Sequence, residues 1–111
     1  AAKVDYATGT TPRSVFAADL DGDNDFDLAA ANQLSNTVSV LKNNGDGTFA
    51  AKVDYLTGTG PTSVFASDLD GDTDFDLAVA NGSSNTVSVL INLTPKPVPD
   101  FPTYKRMTTR R

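Results

Sequence analysis

The sequence predicts an all-β protein built from the blades of a β-propeller, and three observations support this prediction. A shift of 49 residues aligns residues 1–44 with residues 50–93, and 34 of the 44 aligned pairs are identical. Each repeat contains four short segments of strand-like composition, and no window of ten or more residues shows helical periodicity. Four strands in a period of about 45–50 residues are typical of a propeller blade.

Three strands of the first repeat flank an acidic loop and a polar turn. Ser14–Ala18 runs into the acidic loop, and Asp27–Ala31 leaves it. Thr37–Leu41 alternates small polar with β-branched residues, which is typical of a half-buried strand. The second repeat has the same pattern, and its third strand is predicted at Thr86–Ile91.

The fourth strand follows a tight turn. The run Asn43-Asn-Gly-Asp-Gly47 favours a hairpin, because Asn and Gly adopt positive φ at low cost. Ala51–Leu56 is the predicted fourth strand, with Val53 and Tyr55 on one face. An earlier copy of this segment, Lys3–Tyr6, predicts a further outer strand near the N-terminus.

The phase of the repeat divides the chain into four parts. Residues 1–13 supply an N-terminal outer strand, residues 14–60 form blade 1, and residues 61–94 form blade 2 without its outer strand. Residues 95–111 form a Pro-rich linker and a basic tail. The spare strand and the open blade are complementary, within one chain or between chains.

Two blades are fewer than the four to eight that propellers usually contain. They leave open sheet edges, which invite pairing with another strand. The chain is therefore either a piece of a longer protein or a unit from which several chains build one ring. We favour a homo-oligomer, in which three chains give six blades or four chains give eight.

One acidic nonapeptide occurs twice, and it predicts two metal sites. Each copy places Asp at positions 1, 3, 5, 7 and 9 around a Gly. Five carboxylates in nine residues repel one another unless a cation lies between them, and oxygen ligands at alternating positions suit Ca²⁺. The predicted ligands are Asp19, Asp21, Asp23, Asp25 and Asp27 in the first loop, and Asp68, Asp70, Asp72, Asp74 and Asp76 in the second.

Other kinds of acidic or glycine-rich loop share features with this nonapeptide. A solvated Asp-Gly turn needs no metal. An EF-hand loop has Glu at position 12 and lies between helices, whereas position 12 is Ala30 or Val79 and the flanking segments are strand-like; a dockerin-like loop is disfavoured for the same reason. The Gly-rich nonapeptide of repeat-in-toxin proteins is absent.

Composition excludes several function classes. The chain has no His and no Cys, and all 14 acidic residues are Asp, so catalysis by a Ser–His pair or a Cys nucleophile is excluded. Residues 1–94 carry four basic and 13 acidic residues, which argues against a nucleic-acid partner. No run of about 18 apolar residues predicts a membrane span, and no signal peptide is recognisable.

The blade sequence resembles the FG-GAP repeats, and the bacterial VCBS-type subgroup in particular. Residues 16–29, Val38-Ser-Val-Leu41 and Asn44-Gly-Asp-Gly-Thr-Phe49 carry the resemblance, which covers nearly all of residues 1–93. It implies integrin-α-like propeller blades with Ca²⁺ in the acidic loops. It also implies carboxylate ligands at Asp19, Asp21, Asp23 and Asp27 and a backbone carbonyl ligand at Asp25, with the same roles at Asp68, Asp70, Asp72 and Asp76 and at Asp74.

The sixth loop position departs from the family pattern, which often has Gly there. This sequence has Asn24 in the first loop and Thr73 in the second. Asn accepts a left-handed backbone well, but β-branched Thr does not. If the position requires positive φ, the second loop should bind Ca²⁺ more weakly.

These features predict a Ca²⁺-stabilised binding or adhesion scaffold that is not an enzyme and that is located outside a bacterial cell or on its surface. Its partners would be further copies of itself and a glycan or protein ligand. Two alternatives remain open: a purely structural fragment or a duplicated or designed assembly unit, and a metal-dependent hydrolase. The aromatic residues that recur with the repeat are predicted to pack between blades: Tyr6, Phe16, Phe26, Tyr55, Phe65 and Phe75.

Overall fold

A computed structural model describes residues 2–92, which form two antiparallel sheets and no helix. The first sheet contains β1 (Pro12–Ala18), β2 (Asp27–Asn32), β3 (Thr37–Leu41) and β4 (Val53–Leu56). The second contains β5 (Pro61–Ser67), β6 (Asp76–Asn81) and β7 (Thr86–Leu90). In both sheets the strands are neighbours in sequence order, as in a propeller blade. The predicted all-β fold class is confirmed.

Most predicted strands lie within two residues of the observed ones. β1 begins at Pro12 rather than Ser14, and the register with β2 shifts between these two residues. β4 begins at Val53 rather than Ala51. The turn before β4 contains an isolated bridge between Asn43 and Phe49, which continues the pairing of β3 and β4 beyond their ends.

The predicted outer strand at Lys3–Tyr6 is not a strand in the single chain. Residues 2–8 carry no regular secondary structure. A strand exists only where a second strand supplies its hydrogen bonds, and none of the described residues pairs with this segment. The linker and basic tail predicted at residues 95–111 lie outside the described residues.

The N-terminal segment nevertheless joins blade 1 as β4 joins blade 2. The N–H of Gly9 donates to Oγ of Ser39 at 3.2 Å, and the N–H of Gly58 donates to Oγ of Ser88 at 3.1 Å. A Cβ on Gly9 would lie 2.6 Å from Nδ2 of the buried Asn32, so the close approach requires glycine. Residues 2–8 therefore occupy the place of an outer strand that precedes blade 1.

One hydrophobic core lies between the two sheets. Blade 1 contributes its forward face, which we define as Ala29, Ala31, Val38 and Val40. Blade 2 contributes its rear face, which we define as Val64, Ala66, Leu77 and Val79. The repeat gives each blade both faces, so the forward face of blade 2 is Ala78, Ala80, Val87 and Val89, and the rear face of blade 1 is Val15, Ala17, Leu28 and Ala30.

The prediction that the recurring aromatic residues pack between blades holds for only some of them. The rings of Phe16 and Phe65 lie 4.7 Å apart, and Phe16 packs against the core. Tyr55 and Phe75 line a pocket of about 380 Å³ between the blades. Phe26, by contrast, is exposed, because no blade precedes blade 1 among residues 2–92.

Candidate metal sites

One acidic loop lies between β1 and β2, and the other lies at the equivalent place between β5 and β6. In each loop, four carboxylates offer one oxygen atom each, and these oxygens all lie within 4.8 Å of one another. The two clusters are Asp19, Asp21, Asp23 and Asp27, and Asp68, Asp70, Asp72 and Asp76.

Hydrogen bonds from the backbone fold each loop around its first carboxylate. Oδ1 of Asp19 accepts the N–H of Gly22 at 2.8 Å, and Oδ2 accepts the N–H of Asn24 at 2.8 Å. Gly22 has φ of 80°, which turns the chain back toward Asp19. The second loop repeats these bonds, with Asp68 as the acceptor for Gly71 and Thr73 at 2.9 Å each.

The ninth residue of each loop is a buried structural support as well as a predicted ligand. Asp27 is fully buried. Its Oδ2 accepts the N–H of Leu20 at 2.8 Å, and its Oδ1 accepts the N–H of Asn43 at 2.8 Å. Asp76 is buried in the same way and accepts the N–H groups of Leu69 and Asn92. These bonds connect the acidic loop to the chain that leaves the third strand.

The sequence did not reveal this second role. The motif gave a reason for the carboxylate at position nine, but not for its backbone donors, which lie 7 and 16 residues away. Asn43 and Asn92 provided a signal, because they occupy the same place in the repeat. In both blades this Asn also donates through Nδ2 to the carbonyl of the loop Phe, at 3.0 Å.

The carboxylates repel one another when no cation lies between them. Burial, a hydrogen bond to Asp23 and the charges of Asp27 and Asp23 together raise the pKa of Asp21 to about 6. Asp70 has its pKa raised to about 6 in the same way, by desolvation and by its neighbours Asp72 and Asp76. The raised pKa values show that negative charge is unfavourable within each cluster, and a bound cation would relieve this repulsion.

Asp19 titrates in the opposite direction. Burial alone would raise its pKa, but hydrogen bonds from the backbone N–H groups of Asn24, Gly22 and Asp23 outweigh that effect and lower the pKa below its ordinary value. Asp68 has a lowered pKa for the same reasons. The first carboxylate of each loop is therefore held ionised by the backbone, with or without a metal.

The residues present fit a hard divalent cation. Each cluster offers carboxylate oxygens only, with no nitrogen or sulfur donor. Calcium binds oxygen at about 2.3–2.6 Å, so oxygens on opposite sides of one ion lie about 5 Å apart. The four oxygens of each cluster lie within 4.8 Å of one another, so they are close enough to bind one such ion together. Softer metals prefer imidazole and thiolate ligands, which this sequence lacks.

The structure does not bring the seventh residue of either loop into the carboxylate cluster. The side chains of Asp25 and Asp74 are outside the two groups of converging oxygens. The N–H of Asp25 donates to Oδ1 of Asp23 at 2.9 Å, and the N–H of Asp74 donates to Oδ1 of Asp72 at 2.9 Å. The expected ligation by the backbone carbonyls of Asp25 and Asp74 stays a prediction.

The sixth loop position adopts a left-handed backbone in both loops. Asn24 has φ of 69°, and Thr73 has φ of 72°. This conformation costs a β-branched residue about 1–2 kcal/mol, whereas Asn tolerates it. The sixth position therefore has the positive φ on which the prediction of weaker calcium binding by the second loop depends.

Two antiparallel sheets with an acidic loop between the first two strands of each define a β-propeller-type repeat protein. The family of FG-GAP-like repeats matches residues 19–79, which include both acidic loops and more than half of the chain. The chain belongs to the FG-GAP-like repeat family. This is a family of repeat scaffolds rather than of enzymes, and it is typical of extracellular and surface proteins.

No curated protein and no solved structure matches the chain. Within residues 2–92, no helix is long and apolar enough to cross a membrane.

Proposed function

We propose that this chain is a pair of calcium-binding propeller blades that forms a rigid scaffold for adhesion or ligand binding outside the cell. The observation that carries the proposal is the convergence of four carboxylate oxygens in each of two loops. The calcium ions are structural. Each ion neutralises negative charge in its loop and holds the connection between the first two strands of its blade in one conformation.

The position of Asp27 explains why a metal in the loop stabilises the whole blade. Its carboxylate belongs to the cluster and also accepts backbone hydrogen bonds from Leu20 and Asn43. An ion that orders the cluster therefore also orders the chain beyond β3. The sequence has no Cys, so a metal serves in place of a disulfide as the cross-link of a small unit.

The scaffold is not catalytic in this proposal. The sequence contains no His and no Cys, so it offers neither a Ser–His pair nor a Cys nucleophile. Binding partners, a glycan or a protein, would meet the loops between strands, which rigid strands present to solvent.

The proposal is tested by calorimetric titration with Ca²⁺ and by thermal unfolding in calcium and in chelator. We expect two ions per chain and a melting temperature that rises with calcium concentration. Asp21→Asn with Asp70→Asn removes one of the four cluster carboxylates of each loop and should abolish both effects, whereas Asp46→Asn, in the β3–β4 turn, should retain them. An unchanged calcium response in the double variant would overturn the metal assignment. A glycan array then tests the binding role.

A further inference from the structure

We infer that the open side of blade 2 binds a second copy of this chain. The second copy adds its N-terminal segment (residues 4–7) to the free edge of β7 and packs the rear face of its blade 1 on the forward face of blade 2. The inference goes beyond the proposed function, and it rests on the contacts between the two blades rather than on a metal.

The forward faces of the two blades are identical in sequence and opposite in environment. Val38 in blade 1 is 0% exposed, because blade 2 covers it. Val87 occupies the same place in blade 2 and is 64% exposed. Val40 and Val89 differ in the same way. Blade 2 thus presents to solvent the surface that blade 1 buries.

The rear faces show the complementary difference. Val64 in blade 2 is 4% exposed where it packs against blade 1, while the equivalent Val15 in blade 1 is 63% exposed. Ala66 is buried and the equivalent Ala17 is exposed. One chain therefore carries both halves of its own internal interface, one on each side. The two halves bind each other head to tail in neighbouring copies, since the same residues already do so within the chain, except that Ala30 of blade 1 stands where blade 2 has Val79.

The acidic loops contribute a polar contact to the same interface. Nδ2 of Asn92 in blade 2 donates to the carbonyl of Leu20 in blade 1 at 2.5 Å. Leu20 is 8% exposed, and the equivalent Leu69 is 47% exposed. Asn43 is the equivalent of Asn92, so Asn43 of the second copy meets the carbonyl of Leu69 in the first copy.

The internal sheet fixes the register of the added strand. β3 pairs with β4 so that Val38 lies opposite Tyr55 and Ser39 opposite Asp54, and Oγ of Ser39 donates to Oδ1 of Asp54 at 2.6 Å. A shift by one repeat places Val87 opposite Tyr6 and Ser88 opposite Asp5 of the second copy. Residues 4–7 then form a strand that overlaps the outer strand predicted at Lys3–Tyr6.

The interface is heterologous, because it joins two different surfaces of neighbouring copies. It closes into a ring when a whole number of the rotations between neighbouring copies makes one full turn. Each chain contributes two blades, so a ring has an even number of blades. Rings of six or eight blades fall within the usual range for propellers and require three or four chains.

Light scattering after size-exclusion chromatography of the 111-residue chain tests the assembly. We expect a mass three or four times the 11.6 kDa of one chain. Val87→Lys with Val89→Lys places two charges on the forward face of blade 2 and should reduce the mass to that of one chain. Both residues are exposed in the single chain, so the blades should remain folded by circular dichroism. Leu34→Lys, at an exposed site in the β2–β3 turn, is the matched control and should leave the mass unchanged.

Cross-linking tests the register independently of any loss of folding. The sequence has no Cys, so Tyr6→Cys with Val87→Cys introduces one defined pair. Residues directly opposite in a sheet have Cβ atoms close enough for a disulfide, while diagonal neighbours do not. Oxidation should therefore link whole chains into covalent trimers or tetramers, and Tyr6→Cys with Val89→Cys should link them poorly.

Several outcomes would overturn the inference. A wild-type chain that stays monomeric means that residues 93–111 or a further blade covers the open side. An oligomer that survives the double Lys variant uses another surface, and a Tyr6–Val87 pair that closes within one chain contradicts head-to-tail exchange. None of these results bears on calcium binding, which the calorimetric titration measures by itself.

Discussion

The carboxylate of Asp27 and the backbone of Asn43 lie 2.8 Å apart, across 16 residues of sequence. This hydrogen bond joins the acidic loop to the chain that follows β3. The equivalent bond joins Asp76 to Asn92 at 2.7 Å. The predicted metal ligand thus also accepts backbone hydrogen bonds that stabilise the blade. Substitutions can separate metal binding from this structural role.

Asp27→Asn should destabilise blade 1 even in the absence of calcium. Asn replaces one carboxylate oxygen by an amide group, which donates hydrogen bonds. One of the two backbone N–H groups that donate to Asp27 would therefore lose its acceptor. An unsatisfied buried group of this kind costs about 1–3 kcal/mol. Urea unfolding in chelator measures the loss. Asp23→Asn is the matched control, since Asp23 is an exposed member of the same cluster, and its loss should appear only in calcium.

Thr73→Asn should strengthen the second loop. Thr73 has φ of 72°, and its β-branched side chain disfavours that backbone by about 1–2 kcal/mol. Asn already occupies the equivalent position of the first loop. We expect the free energy of unfolding in calcium to rise by about 1 kcal/mol. The reciprocal Asn24→Thr should lower it by a similar amount, and equal stability of all three proteins would show that this position carries no strain.

Thr11→Gly tests the same physics outside the metal sites. Thr11 has φ of 57°, and the equivalent residue in the second repeat is Gly60, with φ of 66°. Removing the left-handed strain gains about 1–2 kcal/mol, and the added freedom of the unfolded glycine costs about 0.5–1 kcal/mol. The net gain of about 0–1.5 kcal/mol, with a middle value of about 0.75 kcal/mol, should be visible in urea unfolding. Thr10→Gly, at a residue without positive φ, should be destabilising.

Without calcium, stability should rise as the pH falls from 8 toward 5. Asp21 and Asp70 have a pKa of about 6 in the folded loops, above the unfolded value of 3.8. A raised pKa of an acid means that the fold is penalised at high pH and that the penalty is relieved as pH falls through 6.

The opposite trend begins at lower pH. Asp19 and Asp68 have a lowered pKa, so their stabilising contribution is lost as pH falls below about 4. Thermal unfolding across pH in chelator should show a maximum near pH 4–5. Saturating calcium should remove the rise below pH 7, because the bound ion requires ionised carboxylates. A flat profile in chelator would contradict the repulsion within the clusters.

Much of the fold follows from local patterns that the sequence displays directly. Alternation in Thr37–Leu41 and the glycines at 45 and 47 correctly predict a strand and a turn with positive φ. Such patterns do not show which of two equivalent residues, one in each repeat, is buried. Val38 and Val87 have the same neighbours in sequence, yet only Val38 has a sheet packed over it. Lys3–Tyr6 forms no strand for the same reason, since a strand depends on a partner edge.

Assembly should depend on the calcium of the second loop more than on that of the first. Leu69 adjoins Asp68 and Asp70 and lies on the open side of blade 2, whereas Leu20 is already buried between the blades of one chain. If both proposals hold, the ion in the second loop orders the surface that meets the second copy. At equal concentration in calcium, Asp70→Asn should lower the assembled fraction more than Asp21→Asn does. Light scattering on both variants measures the difference, and equal fractions would separate metal binding from assembly.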